Sequence, residues 1–285
     1  MRGKEDAVKH LPKGLPGNRA AVFLTFGAAA LFFLSSCATV PLTERRAIHL
    51  VSEQELTTLS LQEYSKVLKQ SKLSDDRAKV QMVKNVGARI ARATEEALKQ
   101  VGRADEVQKY KWEFNLIQDD KTVNAWCMPG GKVAVYTGIL PVTRDETGLA
   151  VVMGHEIAHA VAQHGNERMS QGLLAQMGGV ALSVALSTQP AATSSLFMAA
   201  YGVGSQVGFL LPYSRVQESE ADRIGLILMA MAGYDPRQAI PFWQRMNETG
   251  GARPPEFLST HPAPETRIQE IQAHINEALK YYQAK

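Results

Sequence analysis

His155, Glu156 and His159 fall within "VVMGHEIAHAVAQH", residues 151–164. On a helix, residues four apart differ by about 40° in projection, so the two imidazoles share a face and can converge on one metal ion. Two neutral imidazoles suit zinc, which in catalytic sites takes a third protein ligand and keeps one position open for water. Glu156, beside the first histidine, can reach that water. Zinc lowers the pKa of a bound water to about 7, and a carboxylate can then take its proton as it attacks a peptide carbonyl. The H-E-x-x-H spacing therefore points to peptide hydrolysis with one zinc ion per chain. The bland alternative is a structural helix with hydrogen-bonded histidines. It is disfavoured by the apolar surroundings, where two histidines and a glutamate without partners are costly to bury.

A third ligand must come from elsewhere. The metzincin pattern needs Gly at position 162 and His at position 165, whereas this chain has Ala162 and Gly165. His164, five beyond His159, points off the shared face and reads as a surface or capping residue. In "SRVQESEADRIG", Glu218 and Asp222 are four apart and share a helix face. Glu218 suits the ligand, and Asp222 a carboxylate that orients a ligand imidazole. Glu220, two along, faces elsewhere. The competing reading of all three is a solvated acidic helix start, which the macrodipole also favours.

These residues need elements to hold them. Thr143 with Glu146 reads as a capping box opening the H-E-x-x-H helix, Ser52 with Glu55 opens an earlier helix, and Ser214 with Gln217 opens the one carrying Glu218. The last of these stops at Gly233. A further helix is expected from Ser74 to about Val101, and others beginning at Pro236 and Pro264. "KWEFNLIQ" and "KVAVYTG" alternate as strands, with "MPGG" as turn chemistry before the second. The order of helices, a small sheet, then helices predicts a mostly helical α+β domain over residues 52–285. Within it, residues 172–211 carry almost no charge, and two apolar halves flank "STQPAATSS". A helical hairpin or lid is the favoured reading there, against a re-entrant membrane hairpin.

The N-terminus reads as an address. Arg2, Lys4, Lys9, Lys13 and Arg19 against Glu5 and Asp6 carry the whole formal +3, so the rest of the 285-residue chain is neutral. A neutral body without a basic run argues against nucleic-acid binding. The apolar "AAVFLTFGAAALFFL" is short for a spanning helix and suits a signal-peptide core. "LSSC" follows it and resembles a lipobox. Residues 1–36 are thus expected to be a lipoprotein signal, Cys37 the lipidated residue and residues 37–51 a tether. A lipid-anchored, periplasm-facing protein of the bacterial envelope, at the outer membrane, is the expected location. Cys127 then has no partner and reads as a small buried hydrophobe, with a zinc-blocking thiolate as the alternative.

"HEIAH" followed by "SRVQESEAD", "NAWCMPGGKVAVYTGIL" and "HPAPETRI" together resemble the zinc metallopeptidase family of the CAAX prenyl endopeptidases, Oma-type mitochondrial proteases and bacterial periplasmic lipoprotein peptidases. The resemblance runs from about Asn124 to Ile268 and is nearest the lipoprotein branch. It implies a zincin-like fold with the sheet flanking the H-E-x-x-H helix, and it selects Glu218 over Glu220 as ligand. It also implies that the strand Lys132, Val133, Ala134, Val135 and Tyr136 lies at the cleft edge, where a substrate could add as an extra strand. His261 would steady the oxyanion, helped by Arg267, or would be a reversible fourth ligand that keeps the site latent. The expected substrates are unfolded or extended polypeptides, among them misassembled envelope proteins. A non-catalytic envelope assembly factor or chaperone using the same cleft is the alternative.

Overall fold

Gly148 to Val161 of the H-E-x-x-H segment are buried on every side. A helix apolar all round belongs in the middle of a domain rather than on its surface, and the other elements are arranged about this one. The computed structural model describes residues 37–177, 190–201, 214–249, 255–261 and 266–283. The chain forms two units, Met1–Cys37 and Ala38–Lys285, and the site lies wholly in the second. The elements in chain order are β1 (Cys37–Thr39), β2 (Arg46–Ile48), α1 (Glu53–Gln70), α2 (Arg77–Gln100), β3 (Glu113–Ile117), β4 (Ala125–Met128), β5 (Lys132–Tyr136), α3 (Leu140–Thr143), α4 (Glu146–Val161), α5 (His164–Met177), α6 (Pro190–Ala200), α7 (Arg215–Met231), α8 (Ala239–Glu248), α9 (Glu256–Thr260) and α10 (Arg267–Ala278). This is the mostly helical α+β fold with a small sheet that was expected.

α4 packs chiefly against α7, with α2 and β4 also against it. Glycine sets how close α4 and α7 come. A Cβ on Gly225 would stand 3.0 Å from the Gly154 carbonyl carbon and from the His155 nitrogen. Two hydrogen side chains at the crossing let the backbones touch there. His155 follows one of these glycines directly, and Asp222 lies one turn before the other.

Local chemistry explains the helix starts. Ser52 with Glu55 and Ser214 with Gln217 form the expected capping boxes. α4 starts differently from its expected box. Its N-cap is Asp145, which accepts from the Gly148 N–H at 2.8 Å. Thr143 instead closes α3, donating its hydroxyl to the Leu140 carbonyl.

The main sheet has the order β3-β5-β4, with β3 parallel and β4 antiparallel to β5. This corrects the expected role of the strand Lys132–Tyr136. β5 is central, and Lys132 to Val135 are paired on both sides, so no substrate can add to it. The edges are β3 and β4, and β4 is a strand that alternation could not reveal because all four residues, Ala125 to Met128, are buried. Gly130 (φ +77°) and Gly131 (φ +79°) turn the chain between β4 and β5.

Of the expected lid, α6 and the end of α5, residues 172–177, are described. Residues 178–189 and 202–211 lie outside the described residues, as do residues 1–36 and the side chain of Cys37. Among the described residues no helix is long and apolar enough to cross a membrane.

Candidate metal centre

The face of α4 brings His155 Nε2 and His159 Nε2 to 3.0 Å of each other. From the first turn of α7, Glu218 Oε1 lies 3.3 Å from His159 Nε2, and Oε2 lies 3.5 Å from His155 Nε2. His261, capping the C-terminal end of α9, puts Nδ1 3.0 Å from Glu218 Oε1 and 3.2 Å from His155 Nε2. These four side chains are buried, and each offers a ligand atom within 4.8 Å of the others.

Their outer partners decide which nitrogen faces inward. His155 Nδ1 is 2.9 Å from Asp222 Oδ1, an acceptor, so Nδ1 carries the proton and Nε2 faces the cluster. His164 Nε2 donates to Glu220 Oε2 at 2.8 Å, which leaves His164 Nδ1 to accept from the Nδ1–H of His159 at 2.8 Å. His159 Nε2 then faces inward too. Two imidazole lone pairs at 3.0 Å, beside the Glu218 carboxylate, are compatible only with a cation among them. Buried imidazoles and a carboxylate are the donor set zinc takes. The residues present fit a zinc ion.

Ionisation follows the same logic. Burial opposes charge on His155, but Glu218 and Asp222 outweigh it and raise its pKa to about 9. A proton on His155 thus plays the cation's part in the metal-free chain. Burial, with the His155 charge beside it, pushes His159 well below the ordinary histidine value. Burial lowers His261 to about 4 and raises Glu156 to about 8. Glu156 Oε1 is buried outside hydrogen-bond geometry, with His261 Nε2 3.4 Å away.

Arg267 opens α10 and is itself buried. It grips Asp222 with two nitrogens, at 2.9 and 2.8 Å, and reaches Glu218 Oε2 at 2.7 Å. Its guanidinium lies 3.5 Å over the Trp243 ring of α8. Desolvation works against ionised Glu218 and Asp222, but His261, Arg267 and His155 hold Glu218 well below the usual carboxylate range, and Arg267 holds Asp222 down.

His155, Glu156, His159, Glu218, His261, Asp222 and Arg267 therefore meet in one place. Lys132 does not join them. Its ammonium donates to the Lys111 carbonyl at 2.8 Å and pairs with Glu113 at 3.2 Å. Cys127 is also outside the metal-binding group. Burial holds its thiol well above the ordinary range, as a core residue requires.

One residue was misjudged from sequence. α4 ends at Val161, and Gln163 takes a left-handed conformation (φ +55°) that turns the chain back, so His164 is fully buried against His159 rather than exposed. Glu220 faces away from Glu218, as expected, and meets His164, Arg45 and Thr43. The only sequence signal for either was a polar residue at a position the helix period could not assign to solvent.

The profile of peptidase family M48 matches residues 84–275. A mitochondrial metalloendopeptidase OMA1 from Schizosaccharomyces pombe is 38% identical over 183 residues, which cover 64% of this chain and 52% of the relative. The OMA1 of Saccharomyces cerevisiae is 30% identical over 278 residues, 93% of this chain and 77% of the relative. A beta-barrel assembly-enhancing protease from Yersinia pestis is 30% identical over 171 residues, 58% of this chain and 35% of the relative. The chain spans about half the length of the fission-yeast relative (52%). The expected enzyme class, a metallopeptidase, agrees with the peptidase family matched and with the metalloendopeptidases among these relatives. The expected location is corrected. Relatives named as mitochondrial enzymes overturn the placement in a bacterial outer membrane, and the resemblance narrows to the family without its lipoprotein branch.

Proposed function

We propose, from the premise that this chain belongs to peptidase family M48, that it is a zinc-dependent endopeptidase acting on unfolded or extended polypeptides. The observation that carries this reading is the pair of inward-facing imidazoles beside a buried carboxylate, with Glu156 next to them. His155, His159 and Glu218 would hold the metal. A zinc ion held there supplies Lewis-acid activation of water and of the scissile carbonyl.

The chain's own residues do the rest. Glu156, raised by burial toward neutrality (about 8), is matched to taking a proton from water and returning it to the leaving amine. Asp222 keeps His155 in its Nδ1–H tautomer, and Arg267 holds Asp222 and Glu218 in register. His261, between Glu218 and Glu156, would steady the developing oxyanion.

A second reading is favoured by one observation. His261 Nδ1 is itself in the ligand group. As a fourth ligand it would close the position needed by water and keep the chain latent.

Casein cleavage by wild type, Glu156→Gln and His261→Ala, with bound zinc measured in each, tests both. Glu156→Gln is expected to keep zinc and lose at least about 100-fold in rate. Loss of cleavage in His261→Ala supports its part in hydrolysis. A silent wild type with an active His261→Ala supports latency. Zinc uptake without cleavage in all three would overturn the peptidase reading.

A further inference from the structure

His159 is held from behind by a chain of side chains that the hydrolytic reading does not use. Its Nδ1–H reaches His164 Nδ1 at 2.8 Å, and His164 Nε2 donates to Glu220 Oε2 at 2.8 Å. His164 is fully buried, and Glu220 is 7% exposed. Glu220 is then fixed by two residues that lie far away in sequence. Thr43 donates its hydroxyl to Oε1, and Arg45 Nε donates to Oε2 at 2.6 Å. The other face of the Arg45 guanidinium makes two bonds to Glu167, at 3.1 and 2.8 Å, and Glu167 also accepts from Gln217 at 2.9 Å.

The segment that delivers Thr43 and Arg45 is strained. Leu42 (φ +68°) and Glu44 (φ +59°) both adopt the left-handed region without being glycine. Backbone bonds between Val40 N and the Arg45 carbonyl, and between Glu44 N and the Val40 carbonyl, hold that tight turn. Left-handed backbone in non-glycine residues persists where surrounding contacts over-determine it, and it gathers at functional sites. Here both strained residues flank Thr43, and the second directly precedes Arg45.

We infer that His164 and Glu220, locked from outside by Thr43 and Arg45, form a positioning relay for His159, which makes the segment Val40–Arg45 part of the metal centre. A carboxylate can only accept, so Glu220 forces the proton onto His164 Nε2. His164 Nδ1 can then only accept, so His159 must carry its proton on Nδ1. Nε2 of His159 is left to present its lone pair to the cluster. An outer acceptor of this kind fixes both the tautomer and the ring orientation of a ligand histidine. His155 has the matching arrangement from Asp222 and Arg267. The two histidines are thus oriented by different parts of the chain, His155 by Asp222 and Arg267 and His159 by His164, Glu220 and the segment Val40–Arg45.

The inference rests on the zinc site proposed above, and its test separates the two. The full chain and the variants His164→Phe, His164→Gln and Arg45→Met are compared for zinc dissociation constant by chelator competition. The tautomer of His159 in the metal-free chain is read by ring-¹⁵N NMR. His164→Phe keeps the ring volume but offers no acceptor, and it is expected to weaken zinc about 10- to 100-fold and to release His159 from the Nδ1–H tautomer. His164→Gln offers an amide oxygen to His159 and an amide N–H to Glu220, so it is expected to recover most of that loss. A purely structural role would favour Phe over Gln. Arg45→Met, at a partly exposed side chain, is expected to weaken zinc about tenfold or less, and it reads the relay even where His164→Phe does not fold. If all three bind zinc as wild type does, with His159 unchanged, the relay is wrong and the zinc site stands. If wild type itself takes up no zinc, the underlying reading fails and the relay with it.

Discussion

At the scale of single residues, the centre is a cluster of buried ionisable groups, each charged group with a specific partner. Arg267 is the hub, with bonds to Asp222 and an ion pair to Glu218 over the Trp243 ring. Breaking a buried ion pair by removing one partner leaves an uncompensated charge and costs about 3–5 kcal/mol. Arg267→Met is therefore expected to lose stability of that order in chelator, measured by denaturant unfolding. A wild-type midpoint in this variant would contradict the role assigned to Arg267. The pH dependence of the metal-free chain follows from His155 and Glu156. Both have folded-state pKa values above their ordinary ones, about 9 against 6.5 and about 8 against 4.5. The folded state holds those protons more tightly than the unfolded chain, so the stability linked to them is lost as pH rises through the folded values. From pH 6.5 to 9 the thermal midpoint in chelator should fall, and zinc affinity should rise as the His155 proton leaves. Calorimetry across that range, with and without chelator, reads both. A midpoint that climbs in chelator would refute the assignment.

At the scale of elements, the crossing of α4 over α7 decides whether His155, His159 and Glu218 meet. Gly154 and Gly225 stand where any side chain would strike backbone. Gly225→Ala places a Cβ 3.0 Å from the Gly154 carbonyl carbon and the His155 nitrogen, and neither can rotate away. Overpacking of this kind costs about 1–3 kcal/mol. The variant is expected to unfold at lower denaturant and also to bind zinc more weakly, because the helices that separate carry His155 on one side and Glu218 on the other. A stability loss with unchanged zinc affinity would show that the crossing serves packing alone. A second link works through the loop before β4. Asn124 donates to the Glu256 carboxylate at 3.1 Å, and the Phe257 N–H bonds the Val123 carbonyl at 3.1 Å. These ties bring α9, and with it His261, against the start of β4.

At the scale of the whole molecule, the centre joins parts from nearly the full length of the second unit. Thr43 and Arg45, α4, α7, His261 and α10 all meet within it. Metal binding should therefore stabilise the fold as one unit, since the unfolded chain does not hold these groups together. Zinc at a thousand times its dissociation constant adds about 4 kcal/mol, a rise on the order of 10 °C in thermal midpoint for a domain of this size. Differential scanning calorimetry with stepwise zinc tests this, and an unmoved midpoint would mean that the four side chains do not form a single binding site.

His155, Glu156, His159, Glu218 and Asp222 were legible from sequence because helical periodicity is local. Spacing of four on one helix puts side chains on one face whatever the rest of the chain does. Capping chemistry at Ser52 and Ser214 was legible for the same reason. The order of the strands was not. β4 is apolar throughout, and pairing between strands depends on contacts that no window of sequence contains. His261 and Arg267 came from family resemblance, since nothing in their own neighbourhood distinguishes a loop histidine from a site histidine. The relay through His164 and Glu220 was invisible, because one left-handed residue, Gln163, redirects the chain after α4, and because the residues that lock Glu220 stand more than a hundred positions away. The sequence by itself determined the chemistry that each helix carries. Only the tertiary structure decided which strand lies in the middle of the sheet, that His164 is buried behind His159, and which groups surround it there.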